Sequence, residues 1–272
     1  MTVSDDDLAA TLASDAGRLL LDLRARGGDP TALRKTGDRS SHEFLVAELA
    51  KFRPADAVLS EEGADDPARL TADRVWIIDP LDGTREFGEP GRTDWAVHVA
   101  LWQDGQLTAG AVALPAQGSV LSTASPDGHV SKYGMDCQAS GTDSPGPLRL
   151  LVSRSRPPEF VTRMAEGLDA KLVPMGSAGA KAAAVIQGEA DAYVHSGGQY
   201  EWDSAAPVAV ARAAGLHASR IDGSDLRYNQ AVPSVPDILI CPIGLAAMLL
   251  DAISRSRESA RPGGPNQPTT VQ

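Results

Sequence analysis

A short apolar run, Val75-Trp76-Ile77-Ile78, ends abruptly in Asp79-Pro80-Leu81-Asp82-Gly83-Thr84. The run is rich in β-branched and aromatic residues, as a buried strand is, and Pro-Leu-Asp-Gly is a turn composition. Two carboxylates three positions apart at the end of a buried strand repel each other unless something positive sits between them. Hard divalent cations take such oxygen ligands. A second short run, Ala57-Val58-Leu59-Ser60, leads likewise into Glu61-Glu62-Gly63. An isolated Asp-Pro-Leu-Asp-Gly is more often a plain turn, but two acidic strand ends together point to a cation site. Two magnesium ions held close together clamp the attacking and leaving oxygens of a phosphoryl group, and three or four carboxylates satisfy their need for oxygen ligands.

The chain has 272 residues, of which 42% are hydrophobic, enough for one large domain or two of ordinary size. Its formal net charge of -11, from 36 acidic and 25 basic residues, disfavours nucleic acid polymers and anionic membrane surfaces as partners. An anionic substrate then needs bound cations to overcome that field. Cys137 and Cys241 are the only cysteines and neither stands in a CxxC or Cys/His ligand spacing, which argues against structural zinc and a disulfide framework. Asp5, Asp6 and Asp7 stand where a signal peptide carries basic residues, and no apolar run approaches the ~20 residues of a membrane span. A cytoplasmic protein is expected.

Ser4 reads as the N-cap of a first helix, whose apolar face is Leu8, Leu12, Ala16, Leu19, Leu20 and Leu23 and which Gly27-Gly28-Asp29-Pro30 stops. Residues 38–52 read as a second helix opened by Asp38. Beyond the acidic stretch, Trp95 to Trp102, Leu107 to Leu114 and Ser119 to Ala124 are strand-like runs separated by Gly- and Pro-containing turns, the pattern of an antiparallel meander. Residues 134–147 lack periodicity and mark the expected domain boundary. In the second half, runs at 148–152, 172–174, 190–195 and 238–241 read as strands. Helical segments at about 157–168, 177–188, 203–215 and 243–256 alternate with them, as in an α/β unit. The expected organisation is an N-terminal α+β domain over 1–138, a C-terminal α/β domain over 139–256 and a disordered tail over 257–272. The histidines 42, 98, 129, 195 and 217 form no ligand pair and read as structural or surface residues.

Asp-x-Asp-Gly-Thr is the nucleophile loop of the haloacid dehalogenase phosphatases, but here two residues, Pro80 and Leu81, separate the acids instead of one. A different resemblance covers more of the chain. Leu59-Ser60-Glu61-Glu62-Gly63, Trp76-Ile77-Ile78-Asp79-Pro80-Leu81-Asp82-Gly83-Thr84 and Glu201-Trp202-Asp203-Ser204-Ala205-Ala206 resemble, in order, the three signatures of the inositol monophosphatase superfamily. Asp82-Gly83-Thr84-Arg85-Glu86-Phe87 is similar to the DGT-K/R-EF form of its CysQ branch, whereas inositol monophosphatases proper usually read DGT-T/I-N there. The resemblance spans roughly residues 5–250.

It implies a layered αβαβα sugar-phosphatase fold, α+β and α/β in character, with an antiparallel N-terminal sheet and a mixed C-terminal one. It implies Glu61, Asp79 and the Leu81 carbonyl as ligands of one magnesium ion, and Asp79, Asp82 and Asp203 as ligands of a second. Asp203 alone reads as a helix N-cap, and Glu62 as a solvated neighbour. Gly83 and Thr84 match backbone amides that cradle phosphate at a helix start. Thr84, paired with Asp38, and Glu61 match groups that activate water. Asp38 also matches a residue that helps hold a third metal, although the family's Thr three positions earlier is Lys35 here. Ser153-Arg154-Ser155 is similar to the branch's VSRSH segment, and Met175-Gly176-Ser177 to Lys181 to its GSS-LK segment. These residues suit the phosphate of a leaving nucleotide, while Tyr228 either flanks the adenine or packs inside.

The implied reaction is magnesium-dependent hydrolysis of a small phosphate monoester, chiefly 3'-phosphoadenosine 5'-phosphate, a by-product of sulfate assimilation, to AMP and phosphate. Lithium inhibition and a monomer or homodimer go with it. The nearest alternatives are an inositol monophosphatase or a fructose 1,6-bisphosphatase, and outside catalysis a metal-binding regulatory protein.

Overall fold

A computed structural model describes residues 3–124, 130–132, 135–137, 146–155 and 157–258. Helix α1 (Asp5–Ala25) begins at Ser4, whose hydroxyl accepts from the Asp7 amide, and its first turn holds the three acids that the helix dipole favours. Helix α2 (Pro30–Phe52) starts well before the expected Asp38. The Asp29 carboxylate accepts from the Ala32 amide at 2.9 Å and Pro30 takes the first turn. The segment that stops α1 therefore also starts α2. Asp38 consequently lies inside a helix and projects from its side.

The first sheet contains β1 (Ala57–Ser60), β2 (Arg74–Asp82), β3 (Ala96–Gln103), β4 (Gln106–Leu114), β5 (Ser119–Ser122), β6 (Val130–Lys132) and β7 (Met135–Cys137), neighbours in that order. The expected antiparallel meander is β3 to β5, with β2 antiparallel on one side; β6 and β7 continue it beyond the expected runs, and β7 lies inside the 134–147 stretch expected to lack regular structure. A second correction is at the edge of the sheet, where β1 pairs with β2 in parallel. A 3-10 turn, Pro67–Thr71, supplies part of the crossover between those two strands, and the short helix α3 (Thr84–Phe87) follows β2.

The second half supplies α4 (Glu159–Gly167), α5 (Ala178–Ile186), α6 (Glu201–Ala213) and α7 (Ile243–Glu258), each overlapping an expected helix. Its sheet contains β8 (Arg149–Ser153), β9 (Lys171–Met175), β10 (Ala192–Tyr200), β11 (Leu216–Ser219) and β12 (Ser234–Pro242), ordered β11-β12-β10-β8-β9 with parallel and antiparallel pairs. Strand β11 was not expected, because Leu-His-Ala-Ser has no clean alternation; pairing with β12 makes it a strand. Arg257 and Glu258, expected to open the tail, are instead the last residues of α7; the expected boundary at 138/139, His129 and the tail residues 259–272 lie outside the described residues.

The layers follow from strand parity, since successive side chains point to opposite faces. On β2, Trp76 and Ile78 pack with Leu8, Leu12, Leu20, Leu45 and Leu49 of α1 and α2. Val75 and Ile77 face the other way, into an apolar cluster shared with α5, α6 and residues of the second sheet such as Tyr193, Ile238 and Ile240. Helices α4 and α7 cover the far face through Val161, Met164, Leu249 and Ile253. The stack is thus α1/α2, first sheet, α5/α6, second sheet, α4/α7, and the αβαβα layering stands.

Candidate active site

By parity Asp79 falls on the Val75/Ile77 face and looks toward α5 and α6. Strict alternation would send Asp82 to the opposite face, but Asp79 pairs with His98 and Asp82 with Ala96. Three steps on β2 therefore match two on β3, and the extra residue is a β-bulge. The bulge resets parity. Leu81 turns into the α1/α2 cluster, 1% exposed, and both aspartates point to α6. Ser41 of α2 fastens the bulge by donating to the Pro80 carbonyl at 2.7 Å, and the Leu81 amide donates to Asp79 Oδ1 at 3.0 Å. Asp203 completes the cluster from α6: one carboxylate oxygen from each of Asp79, Asp82 and Asp203 lies within 4.8 Å of the others.

Asp203 is not the N-cap of α6, as its sequence context suggested, but the third residue of the helix, because Glu201 opens it. Its Oδ2 accepts from the Tyr200 amide at 2.6 Å. Glu201 is fully buried, and its two oxygens accept from the amides of Asn229 and Gln230. Those residues also bind Arg69, which is 1% exposed: its guanidinium donates to Asn229 Oδ1 at 2.8 Å, to the Gln230 carbonyl at 3.0 Å and to Asp65. Asp65 belongs to the loop that begins at Glu61. A single clasp therefore ties the Glu61 loop to the helix that carries Asp203. His42 of α2 adds a 2.9 Å contact to Ser60, next to Glu61.

Gly83 has φ of 83°, the left-handed region that other residues enter at a cost, and it caps α3. Thr84, the first residue of that helix, has its hydroxyl 3.1 Å from Asp38 Oδ1 and 3.0 Å from the Leu81 carbonyl. The proposed proton-handling pair is thus in contact although 46 positions separate its members. The Leu81 carbonyl that the family resemblance makes a ligand lies at the same point.

His98, read from sequence as structural, sits on Asp82. The imidazole is fully buried, with Nε2 3.2 Å from Asp82 Oδ2 and Nδ1 3.0 Å from the Trp202 carbonyl. A carbonyl only accepts, so Nδ1 carries hydrogen, and the Asp82 carboxylate beside Nε2 favours the protonated ring. Burial opposes that charge, but the carboxylate outweighs it and raises the His98 pKa. Ser177 and Gly179 at the start of α5 donate to the same Oδ2, at 2.5 and 2.7 Å. A Cβ at Gly179 would lie 2.1 Å from His98 Nε2, so only glycine allows this approach. Burial alone would raise Asp82, yet His98, Lys181 and Ser177 hold it below the ordinary aspartate value.

The remaining acids behave in the opposite way. Burial and the charges of Glu61, Asp82 and Asp203 push Asp79 well up. Burial and Asp82 raise Asp203 to about 6. Glu61 lies exposed beside that three-residue cluster rather than within it; desolvation, then Asp203 and Asp82, raise it to about 7, and desolvation with Glu62 raises Asp38 to about 6. Carboxyls that crowd and lift one another's pKa, all offering hard oxygen, suit a divalent cation, which would return them to the ionised form. The donor set fits a hard metal ion.

Arg154, Lys181 and Ser177, expected on the nucleotide side, have partners within the protein. Arg154 donates to both oxygens of Glu89, at 2.7 and 3.0 Å, and lies 2.7 Å from Glu86 Oε1, so two carboxylates engage its guanidinium. Its hydrogen bond holds Glu89 down at about 2. Lys181 is 5% exposed; its ammonium donates to the carbonyls of Met175, Gly176 and Ser177 and lies 5.1 Å from the Tyr193 ring. It is a buried counter-charge to the acid cluster. Ser177 is spent on Asp82 and on capping α5. Ser153 ends β8 half-buried, and Ser155 is exposed beyond it. Tyr228 is 5% exposed and bonds Ser204, so it packs inside. Of Arg85-Glu86-Phe87, Arg85 is exposed, Glu86 faces Arg154, and Phe87 meets Trp95 edge-on at 5.0 Å.

Comparison with known proteins agrees with this geometry. The family described as "Inositol monophosphatase family" matches residues 9–257. The chain is 54% identical over 250 residues to a protein of Mycobacterium bovis named 3'-phosphoadenosine 5'-phosphate phosphatase, covering 88% of this chain and 90% of that one. A protein of the same name from Mycobacterium leprae is 50% identical over 265 residues, with 92% and 94% covered. The crystal structure of CysQ from Bacteroides thetaiotaomicron superposes with a TM-score of 0.76 at 28% identity, covering 86% of this chain and 96% of that one. The three acidic motifs, the convergence of Asp79, Asp82 and Asp203 and these matches place the chain in the inositol monophosphatase family.

Proposed function

We propose that the protein hydrolyses the 3'-phosphate of 3'-phosphoadenosine 5'-phosphate to give AMP and phosphate, with magnesium as its cofactor. The observation that carries the reaction class is the convergence of Asp79, Asp82 and Asp203 beside the Thr84–Asp38 pair. The substrate is supported by the mycobacterial relatives of that name. Glu61, Asp79 and the Leu81 carbonyl would hold one magnesium ion, and Asp79, Asp82 and Asp203 a second. When bound, the ions supply positive charge to the phosphoryl oxygens and lower the pKa of water.

The chain's own groups do the rest. The Thr84 hydroxyl has one proton and two acceptors in reach; when it donates to an ionised Asp38, a lone pair can take the proton of an attacking water while its own proton passes to the Asp38 carboxylate, so that carboxylate is the final base. Asp38, lifted to about 6, is mostly ionised at neutral pH and is closer in basicity to that task than an ordinary aspartate. The Gly83 and Thr84 amides, at the start of α3, offer donors to phosphate oxygens. His98 and Lys181 keep Asp82 ionised and fixed. A binding protein without catalysis has no use for the Thr84–Asp38 contact.

Phosphate release with magnesium from 3'-phosphoadenosine 5'-phosphate, inositol 1-phosphate and fructose 1,6-bisphosphate tests this reading. The expected result is the highest kcat/KM for the adenosine bisphosphate. A preference for either sugar phosphate would replace the substrate, and no release from any of the three would favour a regulatory metal-binding role.

A further inference from the structure

With Arg154 held by Glu86 and Glu89, and Lys181 buried against three carbonyls, the two cations expected to hold the nucleotide are engaged within the protein. Recognition of the nucleoside half then calls for a different chemistry. Tyr200 offers one. It is 53% exposed. Its ring lies parallel to that of Trp202, with centroids 4.6 Å apart and 10° between planes. Trp202 is half-buried and packs against the central apolar cluster, and its carbonyl contacts His98. One face of the Tyr200 ring is therefore backed by an anchored indole, and the residue stays open to solvent.

The location ties this stack to the reaction. The Tyr200 amide donates to Asp203 Oδ2 at 2.6 Å, so the backbone that carries the ring borders the acid cluster. The register of β10 against β12 shifts between Ser196 and Gln199, just before Tyr200, and such irregularities re-aim the side chains that follow them. We infer that Tyr200, stiffened by Trp202, is the platform on which the purine of a nucleotide substrate stacks, and that it gives the site its preference for nucleotides over sugar phosphates. Every nucleobase has a π-face, so stacking of this kind needs no hydrogen-bond readout.

This inference rests on the phosphomonoesterase reading above, and the test separates the two. Wild type, Tyr200→Ala and Tyr200→Phe are assayed on 3'-phosphoadenosine 5'-phosphate and inositol 1-phosphate with saturating magnesium. Tyr200→Ala is expected to reduce the ratio of kcat/KM, nucleotide over inositol phosphate, by about tenfold, mainly through KM for the nucleotide. Tyr200→Phe keeps its stacking face and should hold the ratio within about twofold. In the wild type, AMP should inhibit more strongly than ribose 5-phosphate. Equal loss on both substrates in Tyr200→Ala, as a disturbed Asp203 would cause, overturns the platform. So does a Phe variant as impaired as the Ala variant, or equal inhibition by AMP and ribose 5-phosphate. A wild type that does not turn over the nucleotide overturns the functional reading itself.

Discussion

His98 and Asp82 form a buried contact whose two ends come from different strands, and removing one partner of such a pair leaves the other without its counter-charge. His98→Ala should lower the unfolding free energy of the metal-free protein by about 3 kcal/mol. Urea denaturation followed by circular dichroism measures it, and a loss below about 0.5 kcal/mol would mean that the imidazole is not a counter-charge. Gly179→Ala drives a Cβ into the same ring and should cost about 1–3 kcal/mol. Because the displaced imidazole also frees Asp82, magnesium affinity should fall with stability. A Gly179→Ala protein with wild-type melting and wild-type magnesium dependence would show that the ring has room to move.

At the scale of elements, the site is made by a bulge and a clasp. The bulge turns Asp82 to the face of Asp79, and the Arg69–Asn229–Glu201 clasp brings the Glu61 loop to α6. Arg69→Met should destabilise the fold by about 3 kcal/mol, since it leaves buried Glu201 without a nearby cation and Asn229 without a donor. It should also raise the magnesium concentration for half-maximal activity, which a titration of phosphate release reads; an unchanged midpoint would show that Glu61 is placed without the clasp. These joints explain what the sequence made legible. The strand runs, the acids at their ends and the motif order were readable because they are local patterns. The start of α2 was missed because Asp29-Pro30 serves two helices at once. His98 was missed because its role depends on the register that sets it opposite Asp79, which no single strand encodes. Arg154 and Lys181 were legible as charges but not as partners, because Glu89 lies 65 positions from Arg154 and the carbonyls that hold Lys181 depend on how the chain enters α5.

For the whole molecule, the acids at the junction of the two sheets set how stability depends on pH. Asp203 at about 6, Glu61 at about 7 and Asp79 well above the aspartate norm are all raised. The metal-free folded state therefore binds more protons than the unfolded chain between about pH 4 and pH 7, and its stability falls as pH rises through that window. The depressed groups Asp5 and Glu89 act at lower pH, where stability is lost as pH falls. The metal-free protein should melt at a higher temperature at pH 5.5 than at pH 7.5, and magnesium should raise the melting temperature more at pH 7.5. The reverse order in differential scanning fluorimetry would mean that the acids do not crowd one another. The central claim, that the cluster of Asp79, Asp82 and Asp203 carries out metal-dependent hydrolysis, is tested most directly by phosphate release from 3'-phosphoadenosine 5'-phosphate. Wild type and a folded Asp203→Asn variant are compared with magnesium and with a chelator. Sustained turnover by wild type with magnesium, abolished by the chelator and reduced at least about a hundredfold in Asp203→Asn, is the predicted result. Turnover that survives both the chelator and the substitution would contradict it.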